Sequence, residues 1–219
     1  MGKKNKLVYG VGINDADYAV QIKETTSYIS GKQIQKLIWC CPFYQTWTNM
    51  LQRCYGDKWH ERHPSYRGCS VCQEWLRFSN FKNWMEHQDW ENKQLDKDLL
   101  FPGNKIYSPT TCAFVSKRIN TFLIESNAAR GELPIGVYYM KKSKHRKSEL
   151  NKPYSACVKI SGKKKHIGYF STPEEAHQAW LTAKLELAKN LAAEIIAEGG
   201  DPRVAKALIG RYENYKENV

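Results

Sequence analysis

The sequence predicts an α+β chain of 219 residues. Three observations lead there. An aromatic-dense stretch over 37–127 spaces its apolar residues at helical steps. A period-two alternation takes over after residue 134. A helix pattern with a strong start signal then opens at Thr172. With 42% hydrophobic and 12% aromatic residues, the chain has the material for a packed core, which argues against bulk disorder.

Residues 1–36 are polar and only loosely periodic, and read as a segment of their own. Gly10-Val11-Gly12-Ile13-Asn14-Asp15 is a turn and not a phosphate loop, because no Lys-Ser or Lys-Thr follows. Ser30-Gly31-Lys32 is another turn. The start, Met1 to Lys6, is basic, but no apolar region follows it, and no apolar run approaches bilayer length. The expectation is a cytoplasmic protein with no membrane partner.

The segment 37–127 holds six of the seven tryptophans, namely Trp39, Trp47, Trp59, Trp75, Trp84 and Trp90. Tyr44, Trp47, Met50, Leu51 and Cys54 recur at three- and four-residue steps, predicting a helix, and a loop then runs through to Pro64. A second helix is predicted over 71–85, with Trp75, Phe78, Phe81 and Trp84 or Met85 on one face. These aromatics are read as core. Pro102-Gly103-Asn104 is a turn, Lys105-Ile106-Tyr107 a short strand, and 113–127 the place for a further helix.

Seven cysteines in a chain without an export signal are expected to be reduced. Cys69 and Cys72 form a C-x-x-C, with Cys54 upstream and His60 and His63 between. A zinc site needs four converging ligands. The spacing therefore favours buried thiols over zinc held by Cys54, Cys69 and Cys72.

A linker over 128–134 leads into the alternating stretch. Strands are predicted over 135–142, 154–161 and 163–171, with Ser161-Gly162 as a tight turn between the last two. Thr172 suits a helix N-cap, Pro173 the first turn, and Glu175 completes a capping box. Ala176, Ala179, Trp180, Ala183, Leu187, Leu191 and Ile195 then mark one helical face. Gly199-Gly200 ends this helix, and Asp201-Pro202 opens a C-terminal helix within 201–217. The sheet-and-helix domain is placed at 134–195.

Alternation sorts these strands into two faces. Ile135, Val137, Tyr139, Ala156, Val158, Ile160, Ile167 and Tyr169 are expected to pack on the Trp180 helix. Tyr138, Met140, Lys142, Ser155, Cys157, Lys159, Lys164 and His166 are expected to lie open. A formal net charge of +12 favours a polyanionic partner. The open face, with Lys165 and the neighbouring basic stretch carrying Lys142, Lys144 and Arg146, points to double-stranded DNA. A sheet of this size fits the major groove of B-form DNA but not the narrow groove of A-form RNA. The competing reading is a solvated face whose lysines guard strand edges.

Gly136-Val137, Tyr154-Ser155-Ala156-Cys157-Val158-Lys159, His166-Ile167-Gly168-Tyr169-Phe170, Thr172-Pro173-Glu174-Glu175-Ala176 and Ala179-Trp180 follow one another in an order that resembles the Apetala-two (ethylene-response-factor) type DNA-binding domain. The resemblance covers about 55 residues. It implies a sheet lying in the major groove, with contacts from Tyr138, Cys157, Lys159, Lys164 and His166. Tyr154 stands where that family usually has Trp, and the strands carry few arginines, which puts bidentate guanine reading in doubt.

In phage and mobile-element proteins such domains often follow an HNH endonuclease-like module. The middle segment resembles that group through Trp47-x-x-Met50-x-x-Arg53-Cys54-Tyr55, Val71-Cys72-x-x-Trp75-x-x-Phe78-x-x-Phe81, Leu95-Asp96-Lys97-Asp98, Gly103-Asn104-Lys105, Tyr107-Ser108-Pro109 and Cys112-x-Phe114. The resemblance implies water activation by a His and a divalent metal such as Mg²⁺ or Mn²⁺. The His position falls on Lys97 and the late Asn or His position on Thr111. Asp96, Lys97 and Asp98 are thus the candidate catalytic residues, with Asp96 and Asp98 as candidate metal ligands. Three functions stay open at this point. They are DNA binding with a degenerate nuclease centre, metal-dependent cleavage of the homing type, and a phage protein acting in the host cytoplasm that binds and inhibits a host protein.

Overall fold

The structure, a computed structural model, describes residues 7–29, 32–124, 132–140, 151–160 and 162–215. The fold is α+β, and the chain divides into two compact units, Met1–Phe114 and Val115–Val219. No helix among the described residues is long and apolar enough to cross a membrane.

The first unit is built on an aromatic core. Helix α1 (Pro42–Tyr55) buries Trp47, Met50, Leu51 and Cys54, the face its spacing predicted. It packs on α3 (Phe78–Glu86), which buries Phe78, Phe81 and Met85. The Trp47 indole donates to the Trp75 carbonyl at 2.7 Å, so its one polar atom is satisfied inside the core. The expected loop after Tyr55 carries a short helix, α2 (Asp57–Arg62).

The continuous helix expected over 71–85 does not form. Its place is taken by strand β3 (Ser70–Val71), a 3-10 turn (Gln73–Leu76) and then α3. The break sits at Arg77, whose backbone is extended (φ −96°, ψ 125°). Asp15 fixes it there. Its carboxylate accepts from the Ser79 amide (2.9 Å), the Ser79 hydroxyl (2.7 Å) and Arg77 (3.2 Å). A long-range cap has thus overridden a local helical pattern.

Burial pushes the Asp15 carboxyl up, but the hydrogen bonds from Ser79 and Arg77 outweigh it and hold the group below its ordinary value. The linked stability is therefore present above the unfolded value of about 4 and is lost as pH falls through the lower folded value. Asp15→Asn is expected to flatten the acid limb of the first unit's stability curve, as measured by denaturant titration between about pH 5 and 2.

Strand β4 (Lys93–Asp96) pairs with β6 (Ala113–Ser116), and β5 (Ile106–Tyr107) pairs in parallel with β3. The helix expected over 113–127 is shorter and starts later, as α4 (Lys117–Leu123). The Ser116 hydroxyl caps it by accepting from the Ile119 amide.

Strands β1 (Gln21–Ile29) and β2 (Lys32–Cys40) pair as an antiparallel hairpin, where a loosely periodic polar segment was expected over 1–36. Two register shifts, at Ile22/Lys23 and Thr25/Ser27, break its alternation. Trp39, counted from sequence within the aromatic-dense segment, lies on this hairpin and is exposed. Of the expected turn at Ser30-Gly31-Lys32, Ser30 and Gly31 lie outside the described residues.

The second unit holds a three-stranded antiparallel sheet, β7 (Val137–Tyr139), β8 (Tyr154–Ile160) and β9 (Lys163–Phe170), in that order. Helix α5 (Pro173–Ala197) packs on it, and α6 (Pro202–Glu213) packs on α5. The start signal of α5 operates as read. The Thr172 side chain accepts from the Glu175 amide, and the Glu175 carboxylate reaches back to the Ser171 amide. The helix buries Ala176, His177, Trp180, Lys184, Ala188, Leu191 and Ala192.

Lys184 was not among the residues expected on that face. Its ammonium donates to the Phe122 carbonyl (2.7 Å) and lies 3.6 Å from the Phe122 ring centre, which offsets its burial. His177 accounts for another buried polar group. Its Nδ1 meets the Ile135 carbonyl at 2.9 Å, and its ring stacks on Trp180.

Candidate nucleic-acid interface

Sheet register decides which side chains share the open face. On β8 the alternation is regular. Ala156 and Val158 are buried on the helix side, and Cys157 and Lys159 point the other way. β7 follows it, with Tyr138 opposite Ser155. β9 does not. Ala156 pairs with Gly168 but Cys157 pairs with His166, so Ile167 is an extra residue. This bulge inverts the parity of everything beyond it.

One expectation is corrected by the bulge. Tyr169, assigned to the buried face, sits opposite Ser155 on the open face and is 51% exposed. Gly168 takes its place on the helix side. Tyr139 is corrected too. It lies at the end of the short strand β7, 57% exposed, with its ring 5.6 Å from that of Tyr154. Ser155, expected to be open, is buried because Tyr138 and Tyr169 flank it from both neighbouring strands. The sequence carried a signal for this. A glycine inside a strand pattern, here Gly168, marks a bulge or a close approach.

The resulting face carries Tyr138, Cys157, Lys159, Lys164, His166 and Tyr169, with no carboxylate among them. Lys159 faces Lys164 across the ladder, and both are exposed. Two cations placed directly opposite one another are unfavourable for the free protein and ready for an anion. The Lys164 ammonium lies 3.3 Å from the Tyr138 ring centre, a cation–π contact that holds the long side chain across the sheet. The His166 and Tyr169 rings meet in a tilted contact, with their centres 4.5 Å apart. Cys157 is half-buried, 3.7 Å from the Ser155 hydroxyl.

Lys165 was expected to act with Lys164. It is exposed, but register pairs it with Val158 and so assigns it to the opposite side of the sheet. Lys142, Lys144 and Arg146 lie outside the described residues. So does Ser161, whose partner in the tight turn, Gly162, adopts φ +78°.

Asp96, Lys97 and Asp98 do come together, at the end of β4. The Asp96 Oδ1 accepts from the backbone amides of Asp98 (3.0 Å) and Leu99 (2.7 Å), which closes a side-chain turn. Lys97 is 7% exposed, and its ammonium donates to the Asp98 carboxylate (2.7 Å) and the Asn104 carbonyl (2.9 Å). Asn104 returns a hydrogen bond to the Lys97 carbonyl.

Burial pushes the Lys97 ammonium down, but the hydrogen bond and charge of Asp98 outweigh it, so the group stays charged beyond its ordinary range. An amine that holds its proton this firmly has no free lone pair with which to act as a general base. Burial and the nearby Asp98 raise the Asp96 carboxyl, although the Leu99 and Asp98 amides oppose them. Thr111, at the second expected position, donates to the Ile106 carbonyl at 2.7 Å.

The residues present do not fit a divalent ion. One carboxylate is spent on its own turn, and the other is neutralised by an ammonium sitting where a cation would sit. Among the described residues no group of three or more His, Cys, Asp and Glu is gathered as metal ligands would be. Cys54 and Cys69 are buried and Cys72 is half-buried, and burial pushes Cys54 up to about 12.

Comparison of the chain with protein-family models, with curated proteins and with solved structures finds no match.

Proposed function

We propose that this protein binds double-stranded DNA through the open face of the β7–β9 sheet, without cleaving it. The observation that carries the reading is the carboxylate-free face on which Lys159, Lys164 and His166 stand exposed beside Tyr138 and Tyr169. A narrow antiparallel sheet enters the major groove, where its side chains meet base edges and its lysines meet phosphates. The other side of the sheet is occupied by α5, so a partner has one face to approach. The net charge and the resemblance of 136–180 to Apetala-type domains support the same reading. A basic DNA-binding chain would act in the cytoplasm, the host's if it is phage-encoded.

Each phosphate neutralised releases counterions, so the logarithm of affinity falls with the logarithm of salt by about 0.9 per contact. Lys159→Ala with Lys164→Ala is therefore expected to weaken duplex binding and to reduce that slope by nearly 2, roughly uniformly across DNA sequences. Fluorescence anisotropy between low and moderate salt measures both quantities. An unchanged slope removes the sheet face from the interface.

The contacts of Asp96, Lys97 and Asp98 favour a structural turn over a catalytic centre. Supercoiled plasmid incubated with the protein and Mg²⁺ or Mn²⁺ is expected to stay intact. Nicking that disappears in Asp96→Ala or Asp98→Ala would establish the endonuclease instead.

A further inference from the structure

The β1–β2 hairpin has no place in the reading so far, and its surface is unusual. It is exposed from Ile22 to Ser27 and from Gln33 to Trp39, on both faces. An isolated two-stranded hairpin is marginal in water, so a long one standing clear of a core calls for a reason. Its described side chains are segregated along its length. Ile22, Leu37, Ile38 and Trp39 lie at the base, beside the junction with α1. The outer half carries Thr25, Thr26, Ser27, Gln33, Gln35 and Lys36, with Ile34 among them.

We infer that this hairpin is a second DNA-binding element, a ribbon that lies in a groove of duplex DNA. The inference rests on the duplex reading above. The fit has three parts. The first is charge: among the described side chains Lys23 and Lys36 outnumber the single carboxylate of Glu24, which lies opposite Lys36 in the ladder. The second is chemistry. Gln, Thr and Ser donate and accept at base edges, and the lysines meet phosphates. On the hairpin these groups bond to each other, Gln33 to Thr25 at 2.6 Å, which aligns them along the strand pair.

The third part is shape. The major groove admits a two-stranded ribbon. The two register shifts add right-handed twist, which lets a ribbon follow a groove instead of lying flat across it. Nine residues at about 3.3 Å per residue reach roughly 30 Å, close to one turn of the duplex.

The test uses the full chain and a duplex oligonucleotide. Lysine acetylation read by mass spectrometry on the unmutated protein is expected to show Lys23 and Lys36 protected on binding. Lys23→Ala with Lys36→Ala is expected to lower the salt slope by nearly 2 and to shorten the hydroxyl-radical footprint on the DNA. Lys23→Ala alone, which leaves Lys36 in place, is expected to take about half of that drop. Unprotected lysines together with an unchanged slope and footprint would overturn the inference, whatever the sheet does. A silent Lys159→Ala and Lys164→Ala variant beside an effective hairpin variant removes the sheet reading and keeps the hairpin. A protein indifferent to duplex at low salt removes both.

Discussion

Gly136→Ala is expected to unfold the C-terminal unit or leave it barely stable. Gly136 adopts φ +82°, and a Cβ built there would lie 2.1 Å from the Trp180 ring. Two costs therefore add. A left-handed backbone costs a residue with a Cβ about 1–2 kcal/mol. The overlap costs at least as much again, because Trp180 is 3% exposed and wedged between the sheet and α6 and has nowhere to turn. A total near 3–5 kcal/mol is a large part of what a domain of this size has in reserve. Differential scanning calorimetry is expected to show the second unit's transition lowered by more than about 10 °C, with the first unit's unchanged. A shift of only a degree or two would mean that the Gly136–Trp180 contact is not what seats the sheet on its helix.

The first unit has a comparable keystone. Trp47 is fully buried, packs on Tyr44 and Phe78, and hydrogen-bonds the Trp75 carbonyl. Gly12 lies against its ring so closely that a Cβ there would come within 2.9 Å. Trp47→Ala is expected to cost about 3–5 kcal/mol through the cavity and the orphaned carbonyl. Trp47→Phe should recover a good part of the packing but not the hydrogen bond. Chemical denaturation followed by the remaining tryptophans orders the three proteins. If alanine and phenylalanine variants were equally stable, packing around the indole would not be the source of the effect.

Legibility from sequence followed the range of the forces involved. Local rules were sufficient for α1, α5 and the capping box at Thr172, because the determinants lie within a few residues of one another. They failed where the deciding partner is distant. Asp15 breaks the pattern over 71–85 from more than sixty positions away, and no periodicity reports that. The hairpin escaped because two register shifts scramble its alternation. The open face was legible in Lys159, Lys164 and His166, whereas Tyr169 was lost to a single inserted residue at Ile167. The Asp96-Lys97-Asp98 run was legible as a cluster, but the hydrogen bonds that tie it to the Asn104 carbonyl and the Leu99 amide were not.

The reach of the two proposed contacts also sets what kind of binding to expect. Neither surface offers an arginine fork aimed at guanine among its named residues, so lysines and short polar groups carry the contacts. Affinity should then depend steeply on salt and only modestly on base sequence.

Amide signals of the isotope-labelled full chain, followed by NMR while a duplex oligonucleotide is titrated in at low ionic strength, address the central claim most directly. The account expects the resonances of Tyr138, Cys157, Lys159, Lys164, His166 and Tyr169 to move together and saturate, with those of α5 on the far side of the sheet largely still. Shifts confined to α5 and α6, or none anywhere, would contradict it.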